Sequence, residues 1–534
     1  MSDELFWADQ IASSIINRKK FFYTDDKIKQ PKEYTVKTSA SLSGVLHIGR
    51  LSDTIRSESV YRALKDAGKK ARLIWVAEDM DPFRKVPKGV PASYKKYLGM
   101  PVTDIPDPEG CHKSYADHHR EEYLKVIHDF VSTKMKVYST REEYLKGTFK
   151  PFIKKIVKQT ELTRDIQNKF RKEKQLDWSP WRPICDKCGK LSTTKLTDVQ
   201  DGLFHYVCQD YKFETTTATG CGHKGISDPM KGNGKLMWKS EWAAEWAMWN
   251  VVAEGAGKEY QVPGSAFWIN GEIAEKVLKF PQPEPIFYEH LMIDNEKMSA
   301  SLGNVIYPKD WIQVAPPEML RMFYNKKIMK TRSFSWQDLP RMYDEFDDMA
   351  RIQTGEKKLD NKKEIAHHKR LFAVTALDKP RVPLKMSFSH AMMVAQVFKK
   401  EKDIINVLEK TNHWEKEKKK EILERIKYAQ KYLDTYVPDN QKFSVQEELP
   451  PNLQLEDKQK EALHRIADAL HKESFNEESL YAEFFNICKD MELSPKELFQ
   501  AGYKVLLNRE RGPKLATLVI SIGTEKVSKL FKTI

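Results

Sequence analysis

The sequence predicts an α/β fold in which a doubly wound parallel sheet is split by a zinc-binding insertion and followed by an all-α helix bundle. Three observations support this prediction. Extended apolar segments alternate with helical ones near the start, paired cysteines and proline-rich loops follow, and strand signals become scarce in the last third. We therefore divide the chain into 1–83 and 236–335 as two halves of the sheet domain, 84–235 as the insertion, and 336–534 as the helical region.

The first half of the predicted sheet places acidic side chains at the end of a strand. A strand over residues 34–38 leads through a turn of small residues into a helix from His47 to about Ala67. A second strand is predicted over residues 70–77. The acids that follow it are Glu78, Asp79 and Asp81. Ligands of open parallel sheets bind beyond the carboxyl ends of strands, so these acids are predicted at the mouth of a site, although such acids also cap helices.

The later elements complete the predicted domains. A tryptophan-rich helix is expected over residues 238–253, a further sheet segment over 261–268, and a returning strand over 286–293. In the helical region, residues 414–433 carry apolar side chains at helical spacing. Ser494-Pro495-Lys496-Glu497 has the pattern of a capping box with proline at the first helical position.

Two short motifs carry residue types that bind a triphosphate. Leu46-His47-Ile48-Gly49 opens the first helix, whose N-terminus offers N–H groups to phosphates, while His47 can donate and Gly49 permits close approach of the nucleotide. Lys297-Met298-Ser299-Ala300-Ser301 adds an ammonium and two hydroxyls, which suit charge developing on phosphorus. Each motif alone is common, but their order and strand context together predict an ATP site. Its candidate residues are His47, Gly49, Arg50, Lys297, Met298, Ser299 and Ser301.

Four cysteines have the spacing of a structural zinc site. Cys185 and Cys188 form a Cys-x-x-Cys pair, and Cys208 and Cys221 follow. Four thiolates from two loops suit tetrahedral zinc. The alternatives are that the cysteines are simply reduced and buried, or that His223 replaces Cys221 as the fourth ligand.

A second candidate metal site mixes ligand types. Its residues are Asp107, Cys111, His112 and His118, with His119 adjacent. Carboxylate, thiolate and imidazole ligands fit zinc, but the spacing matches no widespread zinc finger. Either site would stabilise an insertion that has little core of its own.

The composition favours a polyanionic partner. The formal net charge is +14, which attracts nucleic acid, although a lysine-rich proteome would give the same excess. No apolar run approaches the roughly 20 residues of a membrane span. We expect a cytoplasmic, monomeric protein that does not enter membranes.

The two phosphate-binding motifs resemble the HIGH and KMSKS motifs of class I aminoacyl-tRNA synthetases, whose catalytic domain is Rossmann-like. Longer blocks narrow the resemblance to the class I lysyl-tRNA synthetases, a mainly archaeal family, and the first 330 residues or so carry it best. These blocks are Trp7-Ala8-Asp9, residues 79–91, residues 103–108 and Ser114-Tyr115-Ala116. Arg50 stands where many class I enzymes have a final His, and Ala300 where many have a second Lys.

The resemblance implies an activity and its participants. The chain is expected to activate L-lysine with ATP and Mg²⁺, and to transfer the lysyl group to the terminal 2′-OH of tRNA(Lys). The related enzymes also carry a metal-bearing insertion at the block that holds the second candidate site, so one or two zinc ions are expected. The helical region is expected to bind the anticodon.

Recognition of lysine needs a carboxylate and an aromatic wall, which attract an ammonium. The candidate substrate-binding residues are Ser39, Ser41, Asp79, Asp81, Trp238, Trp242, Glu259 and Tyr260. The serines are equally good turn formers. The spacing of the tryptophans also fits packing, which we favour for Trp246 and Trp249. Tyr260 stands where relatives tend to have His.

Two other functions remain open from the sequence. The chain could be a class I synthetase for glutamate, arginine or cysteine. It could instead be a zinc-bearing tRNA-binding protein that has lost amino-acid activation.

Overall fold

The computed structural model describes residues 6–42, 46–298, 304–377 and 379–534. Its strands are β1 Tyr34–Ser41, β2 Ala71–Glu78, β3 Lys136–Ser139, β4 Trp181–Pro183, β5 Thr194–Gln200, β6 Leu203–Cys208, β7 Tyr211–Lys212, β8 Thr217–Ala218, β9 Lys224–Ser227, β10 Gly234–Leu236, β11 Val251–Gly257, β12 Glu284–Tyr288, β13 Leu291–Ile293, β14 Glu296–Lys297 and β15 Arg332–Phe334.

The helices are distributed along the whole described chain. They are α1 Trp7–Asn17, α2 Ile48–Asp66, α3 Tyr115–Phe130, α4 Thr140–Lys146, α5 Lys150–Lys158, α6 Thr160–Asn168, α7 Trp238–Trp249, α8 Ala266–Ile273, α9 Pro308–Trp311, α10 Pro317–Asn325, α11 Leu339–Thr354, α12 Lys362–Thr375, α13 Phe388–Val397, α14 Glu401–Lys410, α15 Lys419–Tyr436, α16 Asp457–Lys472, α17 Glu477–Asp490, α18 Pro495–Leu507, α19 Leu515–Ile522 and α20 Thr524–Phe531.

The described residues form two compact units. The first unit comprises the described residues up to Trp311, together with Pro317–Phe334 and Leu359–Pro380. The second takes Ile312–Pro316, Ser335–Lys358 and Arg381–Ile534. The domain boundaries drawn from the sequence stay a prediction.

A five-stranded parallel sheet forms the centre of the first unit. Its strand order is β12-β11-β1-β2-β3, and each neighbouring pair is parallel. If the five strands are renumbered 1 to 5 by their order in the chain and read from the β3 edge, the order is 3-2-1-4-5, as in doubly wound sheets. The switch point lies between β1 and β11. The predicted fold class is confirmed. A binding site is therefore expected where β1 and β11 end.

Several elements differ from the sequence-based prediction, among them the strand predicted over 286–293, which is divided between β12 and β13 in two different sheets. Helix α7 ends at Trp249 because Asn250 adopts a left-handed conformation, with φ 54°, and β11 follows at once. The predicted helix to residue 253 was therefore too long, and the predicted sheet segment 261–268 was wrong, since α8 begins inside it. Strand β3 also lies within residues 84–235, which were predicted to form the insertion.

The cysteine-bearing insertion is built from short antiparallel sheets. Strands β5, β6 and β9 form one of them, β4 pairs with β10, and β7 pairs with β8. The buried residues Cys185, Tyr206 and Cys208 make a small core of their own. Other apolar residues of the insertion, Trp181, Ile184, Leu191 and Phe204, pack in the large core of the first unit.

The second unit is a helical bundle, as predicted. Ser494 caps α18 through the predicted capping box with Glu497. Helix α15 begins at Lys419, five residues later than the predicted start at Trp414. Among the residues described, no helix is both long and apolar enough to cross a membrane.

Candidate active site

His47 caps the helix that follows the central strand. It precedes α2, and its Nδ1 accepts a hydrogen bond from the Gly49 amide at 3.1 Å. Because Nδ1 is an acceptor, the ring proton of the neutral imidazole lies on Nε2. Burial, followed by the charge of Arg50, lowers the pKa of His47 to about 4. At neutral pH, His47 is therefore a neutral N–H donor.

The first backbone amides of α2 are already occupied. The Ile48 amide donates to the Ile306 carbonyl at 2.9 Å, and the Arg50 amide donates to the His47 carbonyl at 2.9 Å. With the Gly49 amide on His47, three successive donors are used within the chain. The expectation that phosphates settle on these N–H groups was therefore wrong for these three. Side chains must supply the donors here.

The two nucleotide motifs converge at Gly49. A β-carbon on Gly49 would lie 2.7 Å from Met298 Cε and 2.8 Å from His47 Cε1. The Ile48 carbonyl, on the same turn, accepts a hydrogen bond from the Tyr324 hydroxyl at 2.9 Å. The segment with Met298 therefore packs directly over the beginning of α2, although some 250 residues separate the two motifs.

Lys297 presents its side chain to solvent at the end of a short hairpin. Strand β14 pairs with β13 and places Lys297 opposite Met292. The Lys297 carbonyl accepts a hydrogen bond from Asn304 Nδ2 at 3.1 Å, which ties the two ends of the loop together. Ser299 and Ser301, with Ala300, lie outside the described residues.

Arg50 follows Gly49 in the first turn of α2. Its side chain is exposed. Burial raises the pKa of Tyr260, with a further rise from Glu259, and the charge of Arg50 opposes that rise.

The carboxyl ends of β1 and β2 bring Ser41 and Asp81 together. Ser41 Oγ donates to Asp81 Oδ2 at 2.8 Å, and Lys235 Nζ lies 3.5 Å from Asp81 Oδ1. Ser39 lies on the same strand, opposite Val76. These contacts fix Asp81 at the mouth of the sheet.

Asp79 has a different environment from Asp81. Its Oδ1 accepts hydrogen bonds from Thr140 Oγ1 and the Arg141 amide, both at 2.9 Å, at the beginning of α4. Its other oxygen, Oδ2, is buried and has no hydrogen-bond partner in the described part of the chain. The substrate role predicted for Asp79 stays a prediction.

A buried network of charges lies behind these acids. Lys37, on the central strand, contacts Glu254, Glu245 and Glu78 at 2.7, 2.8 and 3.3 Å. Lys235 contacts Glu241 at 2.8 Å. The carboxylates of Glu78, Glu241 and Glu245 lie within 4.8 Å of one another, which joins the two groups. The network therefore holds more carboxylates than ammonium groups.

Burial makes this excess of carboxylates costly. Burial raises the pKa of Glu241 to about 7, against the attraction of Lys235. It also raises the pKa of Glu245 and of Glu254. Of the four glutamates, only Glu78 is partly open, with 23% of its side chain exposed. A cation that entered beside Glu78 would relieve the excess negative charge.

An aromatic wall stands beside the network. Trp238 and Trp242 stack with ring centroids 5.9 Å apart, and Tyr260 meets Trp242 edge-on at 5.6 Å. Trp242 Nε1 donates to Glu254 Oε2 at 2.7 Å, which couples the wall to the carboxylates. Trp246 is fully buried and also donates to Glu254, in agreement with the packing role that we favoured.

Glu259 points away from this network toward a different partner. Its Oε2 lies 3.0 Å from His290 Nε2, and half of its side chain is exposed. The role predicted for it in substrate binding stays a prediction.

The four cysteines of the insertion converge as a metal site requires. Cys185 Sγ lies 3.6 Å from Cys221 Sγ, and Cys188 Sγ lies 3.6 Å from Cys208 Sγ. A tetrahedral zinc with bonds of about 2.3 Å separates its sulfurs by about 3.8 Å, so the cluster fits zinc. The cluster contains Cys221 and does not include His223, whose carbonyl instead accepts from the Cys208 amide.

The second candidate metal site also brings its donors together. Cys111 Sγ lies 3.2 Å from Asp107 Oδ2, 3.0 Å from His112 Nδ1 and 3.3 Å from His118 Nδ1. Each histidine has a glutamate at its other ring nitrogen: Glu121 near His112 at 3.2 Å and Glu122 near His118 at 3.4 Å. Such carboxylates orient imidazole ligands in zinc sites. The donor set therefore fits a second zinc ion.

Sequence reasoning missed the residues at the centre of the charge network. Lys37, Glu245 and Glu254 are nearly inaccessible to solvent. The signal that could have revealed them is that each is a charged residue within a largely apolar segment. A charged residue is rarely buried in such a segment unless it is paired with an opposite charge. Which charges pair depends on strand neighbours that the sequence did not reveal.

Comparisons with known proteins identify the relatives of this chain. A family model described as tRNA synthetases class I (K) matches residues 5–378. A lysine–tRNA ligase of Pyrococcus horikoshii is 30% identical and covers 98% of each chain. Those of Methanosphaera stadtmanae and Methanocaldococcus jannaschii are each 29% identical over at least 98% of both chains.

Proposed function

Because the chain belongs to the class I tRNA synthetases of the lysine type, we propose that it is a lysyl-tRNA synthetase. It activates L-lysine with ATP to lysyl-adenylate and transfers the lysyl group to tRNA(Lys). The names of its full-length relatives support this assignment. The observation that carries the choice of amino acid is the excess of buried carboxylates beside the aromatic wall.

The first step joins lysine to the α-phosphate of ATP. A carboxylate oxygen of lysine attacks the α-phosphorus, the bond to the bridging oxygen breaks, and pyrophosphate leaves. His47 donates through Nε2 to the phosphates, and Lys297 neutralises negative charge that develops on them. Mg²⁺, when bound, supplies further positive charge at the phosphates. Arg50, Gly49 and Met298 complete the nucleotide site, together with the hydroxyls of the Lys297 loop.

Lysine is selected by charge. The ε-ammonium enters beside Glu78 and supplies the positive charge that the network lacks, while Trp238 and Trp242 provide a cation–π wall. Ser41 and Asp81 lie at the same edge and contact the amino-acid end of the substrate. Glutamate would add a further negative charge and is excluded by repulsion.

The second step transfers the lysyl group to RNA. The terminal 2′-OH of tRNA attacks the lysyl carbonyl, and AMP leaves. The helical unit binds the anticodon. Tyr481 and Phe485 lie one turn apart on α17 with 48% and 41% of their surface exposed, and their rings are 4.9 Å apart. Exposed rings of this kind stack on unpaired bases.

The insertion contributes structure rather than chemistry. The four-cysteine cluster holds one structural zinc ion, and the Asp107, Cys111, His112 and His118 cluster holds a second. We propose that the enzyme acts as a cytoplasmic monomer.

ATP–pyrophosphate exchange with each of the twenty amino acids, with and without tRNA, tests the assignment. We expect exchange with lysine alone, followed by lysyl-tRNA formation. Exchange with glutamate, arginine or cysteine but not lysine would refute the choice of amino acid. Binding of tRNA without any exchange would refute catalysis.

A matched pair of variants tests the carboxylate network. Glu78→Gln removes the one partly open carboxylate, and we expect it to raise KM for lysine with little change in KM for ATP. Glu142→Gln alters an exposed glutamate on α4 and should leave both values unchanged. Equal effects of the two substitutions would contradict the proposed role of Glu78.

A further inference from the structure

The second unit contains a group of side chains of the types that bind metals, and they belong to none of the motifs identified in the sequence. His390 lies in the first turn of α13, His413 in the turn after α14, and Glu477 at the beginning of α17. Each offers one ligand atom, and the three atoms lie within 4.8 Å of one another. The side chains come from three separate elements, so the tertiary fold alone brings them together.

The polar atoms of this group lack protein partners. His390 Nε2, His413 Nδ1 and Glu477 Oε1 are all buried and have no hydrogen-bond partner among the described residues. His390 is only 8% exposed. Buried polar atoms are rarely left unsatisfied, because each loses its hydration. Three such atoms in one place could all bind a single ligand that accepts lone pairs.

Local structure holds each side chain in position. The His390 amide donates to the Ser387 hydroxyl that caps α13. Asn412, in a left-handed conformation with φ 58°, turns the chain so that the His413 amide donates to the Leu408 carbonyl at 2.8 Å. Glu477 Oε2 accepts from Thr517 Oγ1 at 3.0 Å, which leaves Oε1 for another contact. These contacts therefore hold the three residues near one another before any ligand binds.

The two imidazoles stack on one another, which limits what the ligand can be. Their ring centroids are 3.9 Å apart and their planes are inclined by 28°. Two protonated rings at this distance would repel, so the pair is stable only when at least one is neutral. Neutral imidazole is the form that binds a metal. An anion would meet the Glu477 carboxylate, whose charge has the same sign.

We propose that His390, His413 and Glu477 bind a Zn²⁺ ion that joins α13, the turn after α14 and α17. Two imidazoles and one carboxylate form a common protein ligand set for zinc, and water takes the fourth position. Ligand atoms of a tetrahedral zinc are about 3.4 Å apart, so binding draws the group together by at most about 1.4 Å. The ion stabilises the helical unit and takes no part in amino-acid activation.

Metal content distinguishes this site from simple packing of two histidines. Zinc per chain is measured on the full-length wild type and on His413→Ala, after dialysis against a weak chelator. We expect His413→Ala to hold one zinc ion fewer than the wild type. His471→Ala, which alters an exposed histidine at the end of α16, should keep the wild-type content. Equal zinc in the wild type and a folded His413→Ala variant would overturn the proposal.

A second measurement needs no substitution and separates this ion from those of the insertion. The full-length wild type is loaded with ¹¹³Cd²⁺ and studied by NMR. Cadmium on cysteine resonates at much higher frequency than cadmium on nitrogen and oxygen only. We expect one signal in the nitrogen and oxygen range, which Glu477→Gln shifts or removes. The absence of any signal in that range would overturn the proposal even if the alanine variant fails to fold.

Discussion

Replacing Gly49 with alanine tests whether the two nucleotide motifs act as one site. A β-carbon here would lie 2.7 Å from Met298 Cε and 2.8 and 2.9 Å from Cε1 and Nδ1 of His47. Non-bonded carbons pack at about 3.5–4.0 Å, so Met298 and His47 must each move away by about 0.7–1 Å. The end of Met298 is flexible and can yield. The His47 ring cannot do so freely, because its Nδ1 is bonded to the Gly49 amide.

The expected effect follows from this displacement. Misplacing a catalytic group by about 1 Å costs about 10²-fold in rate. We therefore expect Gly49→Ala to lower kcat/KM for ATP in pyrophosphate exchange by about 10²-fold, with a small change in Tm. Gly502→Ala is the control, because its β-carbon would meet Leu515 Cδ2 at 2.9 Å within the helical unit. It should lower Tm and leave the kinetics of exchange unchanged.

A double variant separates the two contacts. Adding Met298→Ala to Gly49→Ala removes the clash with the thioether but not the clash with His47, so exchange should stay low. A kcat/KM for Gly49→Ala within about threefold of the wild type would refute the reasoning. Full recovery in the double variant would show that Met298, rather than His47, is the group displaced.

Three further predictions concern other parts of the molecule. Lys297→Ala should lower adenylate formation by roughly 10² or more while tRNA affinity, measured by filter binding, stays nearly constant, and equal loss of both would mean that the loop is structural. The pKa of Glu241 is about 7, so its carboxylate is charged above that pH and neutral below it. The affinity for lysine, measured by calorimetry, should therefore weaken as the pH falls from 8 to 6, by at most about tenfold per pH unit. Glu241→Gln should flatten this dependence, and a flat wild-type curve would contradict the role of the network. Cys188→Ser should remove about one zinc ion per chain and expose the insertion to protease, whereas unchanged zinc content would contradict the four-cysteine site.

Local features of the candidate site could be predicted from the sequence. His47 caps the first long helix, at the position where the sequence predicts the helix to begin. Cys185 and Cys188 share one tight turn, in which the Gly189 amide donates to the Cys185 carbonyl at 2.8 Å. Each of these depends on neighbours within a few residues, so the sequence is sufficient to specify them.

The availability of the helix amides could not be predicted from the sequence. The first helical turn of α2 appeared to offer free N–H groups to phosphate, but the Ile306 carbonyl occupies the Ile48 amide. Ile306 comes from a segment more than 250 residues further along the chain. Long-range contacts of this kind appear only when the chain is folded.

The sequence by itself determined the family, the parallel sheet, the helical second half, and the residue types that bind phosphate and zinc. These properties follow from local spacing, hydrophobic period and turn chemistry. Only the tertiary structure decided that Val251–Gly257 is a strand, because it pairs with β1 on one side and β12 on the other. The same pairing places Glu254 beside Lys37. Burial and charge pairing are properties of neighbours in space, which the order of residues specifies only through the completed fold.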